Sequence, residues 1–279
     1  MSDGIAPRLY LCATPIGNLG DITYRVVETL RGVSAVYCED TRNALKLLNH
    51  FEIRKPVYSC HEHNEAQRAK ELCGIVRAGQ AVAFVSDAGM PAVSDPGARL
   101  ISEFIAENLP FEVLPGASAM VNAWLMSGLP TDKLFFRGFL PRSGKERADA
   151  IAELRSVSAT SVIYESPLRV GSTLKELYEK LGERQCALVR EITKLHEEAV
   201  RGSISVLAER YSAEPPKGEC VIVLAAAETV PNVDGEKLNE LLSMLFDAGV
   251  KIKDAARIAS KLMNIPKNDA YRAAMALNE

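Results

Sequence analysis

The chain has 279 residues, 47% hydrophobic and 25% charged, a composition that suits a globular protein with a large core and excludes a disordered one. No apolar run approaches the roughly 18–20 residues that a membrane span needs, and Met1-Ser2-Asp3-Gly4 leads into no apolar signal segment. With a net charge of −3, any affinity for nucleic acid must come from a local group of Lys and Arg.

Short apolar runs alternate with amphipathic helices as far as about residue 228. Strands are expected at Arg8–Ala13, Ser34–Cys38, Val57–His61, Ala81–Ser86 and Phe111–Leu114, with helices at Thr23–Arg31, Thr41–Asn49, Asn64–Ala78 and Gly97–Asn108 between them. Near-continuous apolar strands separated by helices predict an α/β fold with a parallel-rich sheet covered on both faces. A second round follows a helix at Ala117–Ser127. It has strands at Leu134–Phe139, Ser161–Glu165, Cys186–Glu191 and Cys220–Ala226, a strand-like Glu198–Ser205, and helices at Lys145–Val157 and Leu168–Leu181. This pattern predicts two α/β lobes, 1–115 and 116–228, hinged near 115–133. The composition of 227–235 marks a linker. Beyond it, 236–279 reads as helices only (Glu236–Ala248, Ile252–Met263 and Asp269–Leu277), either a helix-turn-helix-like appendage or a small capping bundle.

The six cysteines, at 12, 38, 60, 73, 186 and 220, form no C-x-x-C pair, and we read them as reduced core residues. Cys60-His61-Glu62-His63 has the residue types of a metal site, but neighbouring strand positions point to opposite faces and no second ligand pair stands nearby. No metal is expected.

Three turns just after strands carry the chemical interest, because ligands in open α/β sheets bind beyond the carboxyl ends of strands. The first is Thr14–Asp21, with Gly17 and Gly20. The second, Ser86–Gly97, is long for such a connection and holds two Asp, two Ser, two Pro and two Gly. Its plain alternative is an elaborate turn with Asp95 capping the next helix. The third is Leu114–Ala119, with small residues at 116–119. No G-x-G-x-x-G follows a strand, and Gly138–Glu146 misses the P-loop pattern by one residue and by Glu146 in place of Ser or Thr, so a nicotinamide enzyme and an ATPase are both disfavoured.

Taken together, TPIGNLGD (14–21), CEDTR (38–42), HEHNE (61–65), SDAGMPAVSDPG (86–97), LPGASA (114–119), GFLPR (138–142), YESP (164–167) and REITK (190–194) resemble the tetrapyrrole methylase superfamily over residues 8–226. The first loop lacks the G-x-G-P-G turn of the corrin-ring methylases, which places the resemblance with the RNA-methylating branch. That resemblance implies a cytoplasmic homodimer binding S-adenosylmethionine in a cleft between two lobes. It implies 2′-O-methylation of a cytidine in 16S rRNA, with free rRNA or the small ribosomal subunit as partner. Carried over by position, it implies cofactor contacts from Pro15, Asp87, Gly89, Met90, Ser118, Ala119, Tyr164 and Ala225. The alternatives are a precorrin-type methylase and a non-catalytic rRNA-binding assembly factor.

Methyl transfer to a hydroxyl needs alignment and a base or positioning hydrogen bond. Candidates are Asp40, His61, His63 and Glu165, with Glu191 also considered. Asp40 and Arg42 follow a strand, and serve either a substrate role or a local ion pair. His61 and His63, two apart, share one face of a strand end. For RNA, the basic stretch Arg137, Arg142, Lys145 and Arg147 is the best patch, joined by Arg42 and Lys194; for Lys194 the alternative is pairing with Glu197 or Glu198.

Overall fold

In the computed structural model, residues 5–227, 235–263 and 267–277 are described. Most of the expected linker, the Asn264-Ile265-Pro266 break and the first four residues lie outside them. The chain divides into two compact units, 1–226 and 227–279.

The first unit contains two five-stranded sheets. In the first, β1 (Leu9–Cys12), β2 (Ala35–Cys38), β3 (Val57–Ser59), β4 (Val82–Val85) and β5 (Phe111–Leu114) run parallel in the order β3-β2-β4-β1-β5. Alternation along these strands feeds two cores. Tyr10, Cys12, Val36, Cys38, Ala83 and Val85 pack under α1 (Tyr24–Gly32) and α2 (Thr41–His50). Leu9, Leu11, Tyr37, Val82 and Phe84 pack under α3 (Glu65–Arg77) and α4 (Ala98–Ala106). Both faces are therefore apolar, which is why these strands read as unbroken hydrophobic runs.

The second sheet has the order β6-β7-β10-β8-β9. Only β6 (Leu134–Phe139) and β7 (Thr160–Glu165) are parallel; β8 (Gln185–Arg190), β9 (Glu198–Ser203) and β10 (Cys220–Leu224) pair antiparallel. One face is covered by α6 (Gly144–Leu154), α7 (Val170–Leu181) and α8 (Ile204–Ala213). The other takes α5 (Ala119–Ser127), with Ile16 from the first turn and Ile192 beyond β8. Gly171 sets the closeness of α7 to α8: a Cβ there would lie 2.5 Å from the Tyr211 carbonyl oxygen.

Several boundaries differ from expectation: the helix expected to run to Val157 ends at Leu154, and the strand expected to run to His61 ends at Ser59. α5 begins at Ala119, because Ser118 is still extended (φ −144°, ψ 110°) and residues 115–118 remain loop. The strand expected to run to Ser205 stops at Ser203, where the chain turns into α8.

The second unit consists, among its described residues, of α9 (Gly235–Asp247), α10 (Ile252–Leu262) and α11 (Lys267–Leu277). Gly249, at φ +77°, ends the first helix in a left-handed turn. Leu238, Leu242, Ala255, Ala256, Ala259, Ala270 and Ala274 form its own small core.

Candidate active site

Neighbouring β1 and β4 send the chain to opposite faces, β1 to α1 and β4 to α4. Such a switch point opens a crevice at the strand ends. Here the turn after β1 and the Ser86–Gly97 loop are tied by an isolated two-residue bridge, with Thr14 N donating to Gly89 O at 2.9 Å and Gly89 N to Thr14 O at 3.0 Å. Ser86 Oγ donates to Gly89 O, and Thr14 Oγ1 to Ser86 O. Ala92 and Ser94 take left-handed backbone angles (φ +66° and +64°), and Ala92 N closes the turn onto Pro96 O. Strain of this kind persists only where surrounding contacts over-determine it.

Between this crevice and the edge of the second sheet lies a cavity of about 420 Å³, within the roughly 300–1,000 Å³ usual for small-molecule sites. The first sheet contributes Ile16, Gly89, Met90, Ser94, Asp95 and the Ser118-Ala119 step to its lining. The second contributes Phe139, Tyr164, Glu165 and the segment Gly218–Val221. The two sides touch where Gly138 sits in a β6 bulge at φ +67°: a Cβ there would come 3.0 Å from the Ser94 hydroxyl. Phe136, Tyr164 and Phe139 stack edge to face, with centroids 5.1 and 5.5 Å apart. Phe139 is 59% exposed at the rim.

Of the residues singled out in the sequence, Gly89, Met90, Ser118, Ala119, Tyr164 and Glu165 line this cavity. Pro15 is only adjacent, next to the lining Ile16. Asp87 turns toward α2, accepting from Asp40 N at 3.2 Å and Asn43 Nδ2 at 3.0 Å. Ala225 is a correction. It follows Leu224, which pairs with Ser161, whereas the cavity lies at the Cys220–Glu165 end of the same antiparallel ladder. Four residues of strand, roughly 13 Å, separate the two ends.

Asp40 caps α2 through Arg42 N and grips the Arg42 guanidinium at 2.6 Å; that hydrogen bond lowers its pKa to about 2. Its carboxylate is thus taken by an ion pair, and so is the exposed Arg42. His61 and His63 stack edge to face at 5.9 Å without lining the cavity. Glu165 is buried and fully engaged: it accepts from Ser166 N and from the Thr173 hydroxyl at 2.7 Å, with Arg169 at 3.4 Å.

The basic patch needs two corrections. Arg147 is buried, donating to Glu176, Thr173 and the Pro141 carbonyl, so it braces the interior beneath the β6–α6 turn and presents nothing to a ligand. Lys194 bridges Glu191 and Glu219, both at 2.9 Å, in place of Glu197 or Glu198. Arg137 pairs with Glu153 at 3.5 Å. Arg142 and Lys145 are exposed, with no ionic partner among the described residues.

The sequence analysis placed Asp95 in the ligand-site loop without giving it a site role, with capping of the next helix as the plain alternative. The cap of α4 is instead Glu65, 5% exposed, whose Oε1 accepts from Gly97 N, Arg99 N and Leu100 N. Asp95 is left facing the cavity, and burial, with Glu39 and Asp87 nearby, raises its pKa to about 6. The Gly218–Cys220 wall was missed as well; the Pro215-Pro216-Lys217-Gly218 run before β10 was its only sequence signal. All six cysteines are buried and free. Among the described residues, no cluster of His, Cys, Asp and Glu is arranged to hold a metal ion, and no helix is long and apolar enough to cross a membrane.

A family model described as Tetrapyrrole (Corrin/Porphyrin) Methylases matches residues 8–208. The chain belongs to the tetrapyrrole methylase family. Among its relatives, the Ribosomal RNA small subunit methyltransferase I of Synechocystis is 40% identical over 96% of this chain and 98% of its own length. The protein of the same name from Thermotoga maritima is 42% identical over 79% of this chain and 99% of its own. Solved structures share the fold. Diphthine synthase superposes with a TM-score of 0.62, at 16% identity, over 78% of this chain and 89% of that one. Uroporphyrin-III C-methyl transferase from Thermus thermophilus, complexed with S-adenyl homocysteine, gives 0.56 at 21% identity over 79% and 98%.

Proposed function

We propose that the chain transfers the methyl group of S-adenosylmethionine to the ribose 2′-hydroxyl of a cytidine in 16S rRNA of the small ribosomal subunit. The supporting observation is the near end-to-end similarity, at about 40% identity, to proteins named as small-subunit rRNA methyltransferases. The ribose and the cytidine come from the sequence resemblance.

S-adenosylmethionine is the methyl donor, and the cavity suits it. Small residues at Gly89, Ser118 and Ala119 leave room for a flat base and ribose, while Ile16, Met90 and Val221 give apolar walls. Gly89 cannot grow, since a Cβ at its φ of +79° would press on Ile16 at 3.3 Å. The neighbouring Glu39, Asp87 and Asp95 carboxylates supply a negative field for a cationic ligand. When bound, the donor supplies an electrophilic methyl carbon.

The second sheet serves the acceptor. Phe139, exposed at the rim against Tyr164, offers a stacking face for a nucleobase turned out of structured RNA. Beyond it, Arg142 and Lys145 are free to meet phosphates. Tyr164, Glu165 and the Gly218–Val221 segment close the back of the site and exclude water.

The test uses labelled S-adenosylmethionine and small subunits from cells lacking this protein, with nucleosides identified by mass spectrometry after digestion. A ribose-methylated cytidine supports the reading. Methyl transfer to a tetrapyrrole, or RNA binding without transfer, refutes it.

A further inference from the structure

One large apolar side chain stands bare at the mouth of the cavity. Ser166 and Pro167 line the cavity directly after β7. Leu168 follows them in the single 3-10 turn Pro167–Arg169 and is 83% exposed. Among the large apolar side chains of the described residues, only Tyr24 and Leu195 are at least as exposed, and neither adjoins a residue that lines the cavity. A lone exposed leucine needs no explanation on an ordinary surface. This one is held out by a rigid support. The buried Glu165 carboxylate accepts from Ser166 N at 2.9 Å and pairs with Arg169 at 3.4 Å, so one group grips the turn on both sides of Leu168. Arg169 N also donates to Ser166 O at 2.9 Å, and the ring of Pro167 fixes its φ. A turn pinned in this way keeps its leucine in water.

The same turn is tied to the acceptor side of the cavity. Arg169 Nη2 donates to the Pro141 carbonyl at 3.5 Å, and Arg147 Nη1 donates to it at 2.9 Å. Pro141 stands two residues after the rim ring of Phe139 and one before the exposed Arg142. The mouth therefore brings together a bare aromatic ring, a bare aliphatic side chain on a fixed turn, and the free cations Arg142 and Lys145.

We propose that Leu168 is the wedge that opens the RNA stack, filling the gap left by the target cytidine as it swings into the cavity. This rests on the preceding reading, in which the acceptor is a nucleotide of structured RNA. Taking a base out of a stack leaves a void between the apolar faces of its neighbours, and proteins that unstack nucleic acid offset that cost by inserting an apolar side chain. Leucine suits the task because it has no donor or acceptor to leave unpaired and gains by losing its contact with water. The mouth thus divides the work: Phe139 receives the extruded base, Arg142 and Lys145 meet the phosphates, and Leu168 holds the gap open. Leu168 is a positioning residue and takes no part in the methyl transfer itself.

The full-length protein and small subunits from cells lacking it test the proposal. Single-turnover transfer at saturating subunit should fall by about 10–100-fold in Leu168→Ala, with Leu168→Met recovering most of the rate. The melting temperature and the calorimetric affinity for S-adenosylmethionine should stay at wild-type values, because the side chain is exposed and does not line the cavity. The readout specific to a wedge uses subunits reconstituted with 2-aminopurine beside the methylated cytidine, mixed with the protein and S-adenosylhomocysteine. Wild-type protein should brighten this probe as the stack opens, and Leu168→Ala should brighten it far less. Leu168→Ala transferring within a few-fold of the wild type overturns the proposal, and so does equal brightening, or none, with the two proteins. A lower melting temperature or a changed solution mass that accounts for the lost rate also overturns it, by making Leu168 a folding element or a contact between two copies of the chain. A wild-type protein that methylates no RNA overturns the function on which the proposal rests as well, whereas ribose methylation with an undiminished Ala variant overturns this proposal alone.

Discussion

Replacing Glu65 should loosen the candidate site from behind. One carboxylate oxygen of this buried side chain receives three backbone N–H groups at the start of α4, from Gly97 and Arg99 at 2.9 Å and Leu100 at 3.3 Å. Removing an N-cap acceptor costs about 0.5–2 kcal/mol. Leaving buried donors unsatisfied adds roughly 1–3 kcal/mol. Glu65→Ala should therefore destabilise by about 3 kcal/mol, a fall in Tm of roughly 6–12 °C for a unit of this size. Glu65→Gln keeps an acceptor oxygen and loses only charge, so it should cost about 1 kcal/mol. Because Glu65 anchors the C-terminal end of the loop that carries Asp95, the Ala variant should also bind S-adenosylmethionine more weakly. Urea unfolding and calorimetry read both effects. A loss below about 1 kcal/mol in the Ala variant, or equal losses in both variants, would show that the cap does not hold the loop.

Asp95→Asn should raise stability at neutral pH while lowering activity. The folded chain holds this proton to about pH 6 against a usual 3.8, so the stabilisation it gives is complete below 3.8 and lost as pH rises through 6. Relative to wild type the Asn variant should gain about 1–3 kcal/mol above pH 6, with the gap closing toward pH 4, as pH-dependent unfolding would show. Joint removal of Arg142 and Lys145 to Ala should reduce the slope of log affinity for rRNA against log salt by about two, in filter binding. Arg147→Met should leave that slope unchanged and cost about 2–4 kcal/mol, because it strips partners from Glu176 and Thr173. Phe139→Ala should weaken RNA binding by about 1–3 kcal/mol without altering donor affinity, a split visible in the two KM values.

How much of this could be read beforehand depends on the range of the interactions. Unbroken apolar strands with helices between them announce a doubly covered sheet, and loops such as Ser86–Gly97 announce a ligand site by length and glycine placement. Three residues show where that legibility ended. Asp95, two residues before Gly97, had capping of α4 as its plain alternative, yet the cap is Glu65, 32 positions before that glycine. Ala225 looked like a cavity residue because it ends an apolar strand, but β10 runs antiparallel and presents its beginning to the site. Arg147 looked like part of a basic flap, although Arg147, Ala150, Ile151 and Leu154 fall at i, i+3, i+4 and i+7, the spacing of one buried helix face. That last signal was available in the sequence.

The charges around the cavity divide by task, and the division explains why counting basic residues overstated the nucleic-acid surface. Lys194 and Glu191 work within the second sheet. Glu191, at φ +51°, accepts from Glu219 N and pairs with Lys194, while Lys194 also holds the Glu219 carboxylate. The Glu219 backbone N–H and Lys194 together lower the Glu191 pKa. This staple binds the turn after β8 to the segment that forms one wall of the cavity. It requires glycine at 218, where a Cβ would fall 2.3 Å from the Glu191 carboxylate. On the opposite side the Thr14–Gly89 bridge and the Glu65 cap hold the strained loop. A cavity fixed from both sheets by backbone and buried carboxylates need not spend surface cations on its own shape. That leaves Arg142 and Lys145, next to the exposed ring of Phe139, free for a large polyanionic substrate.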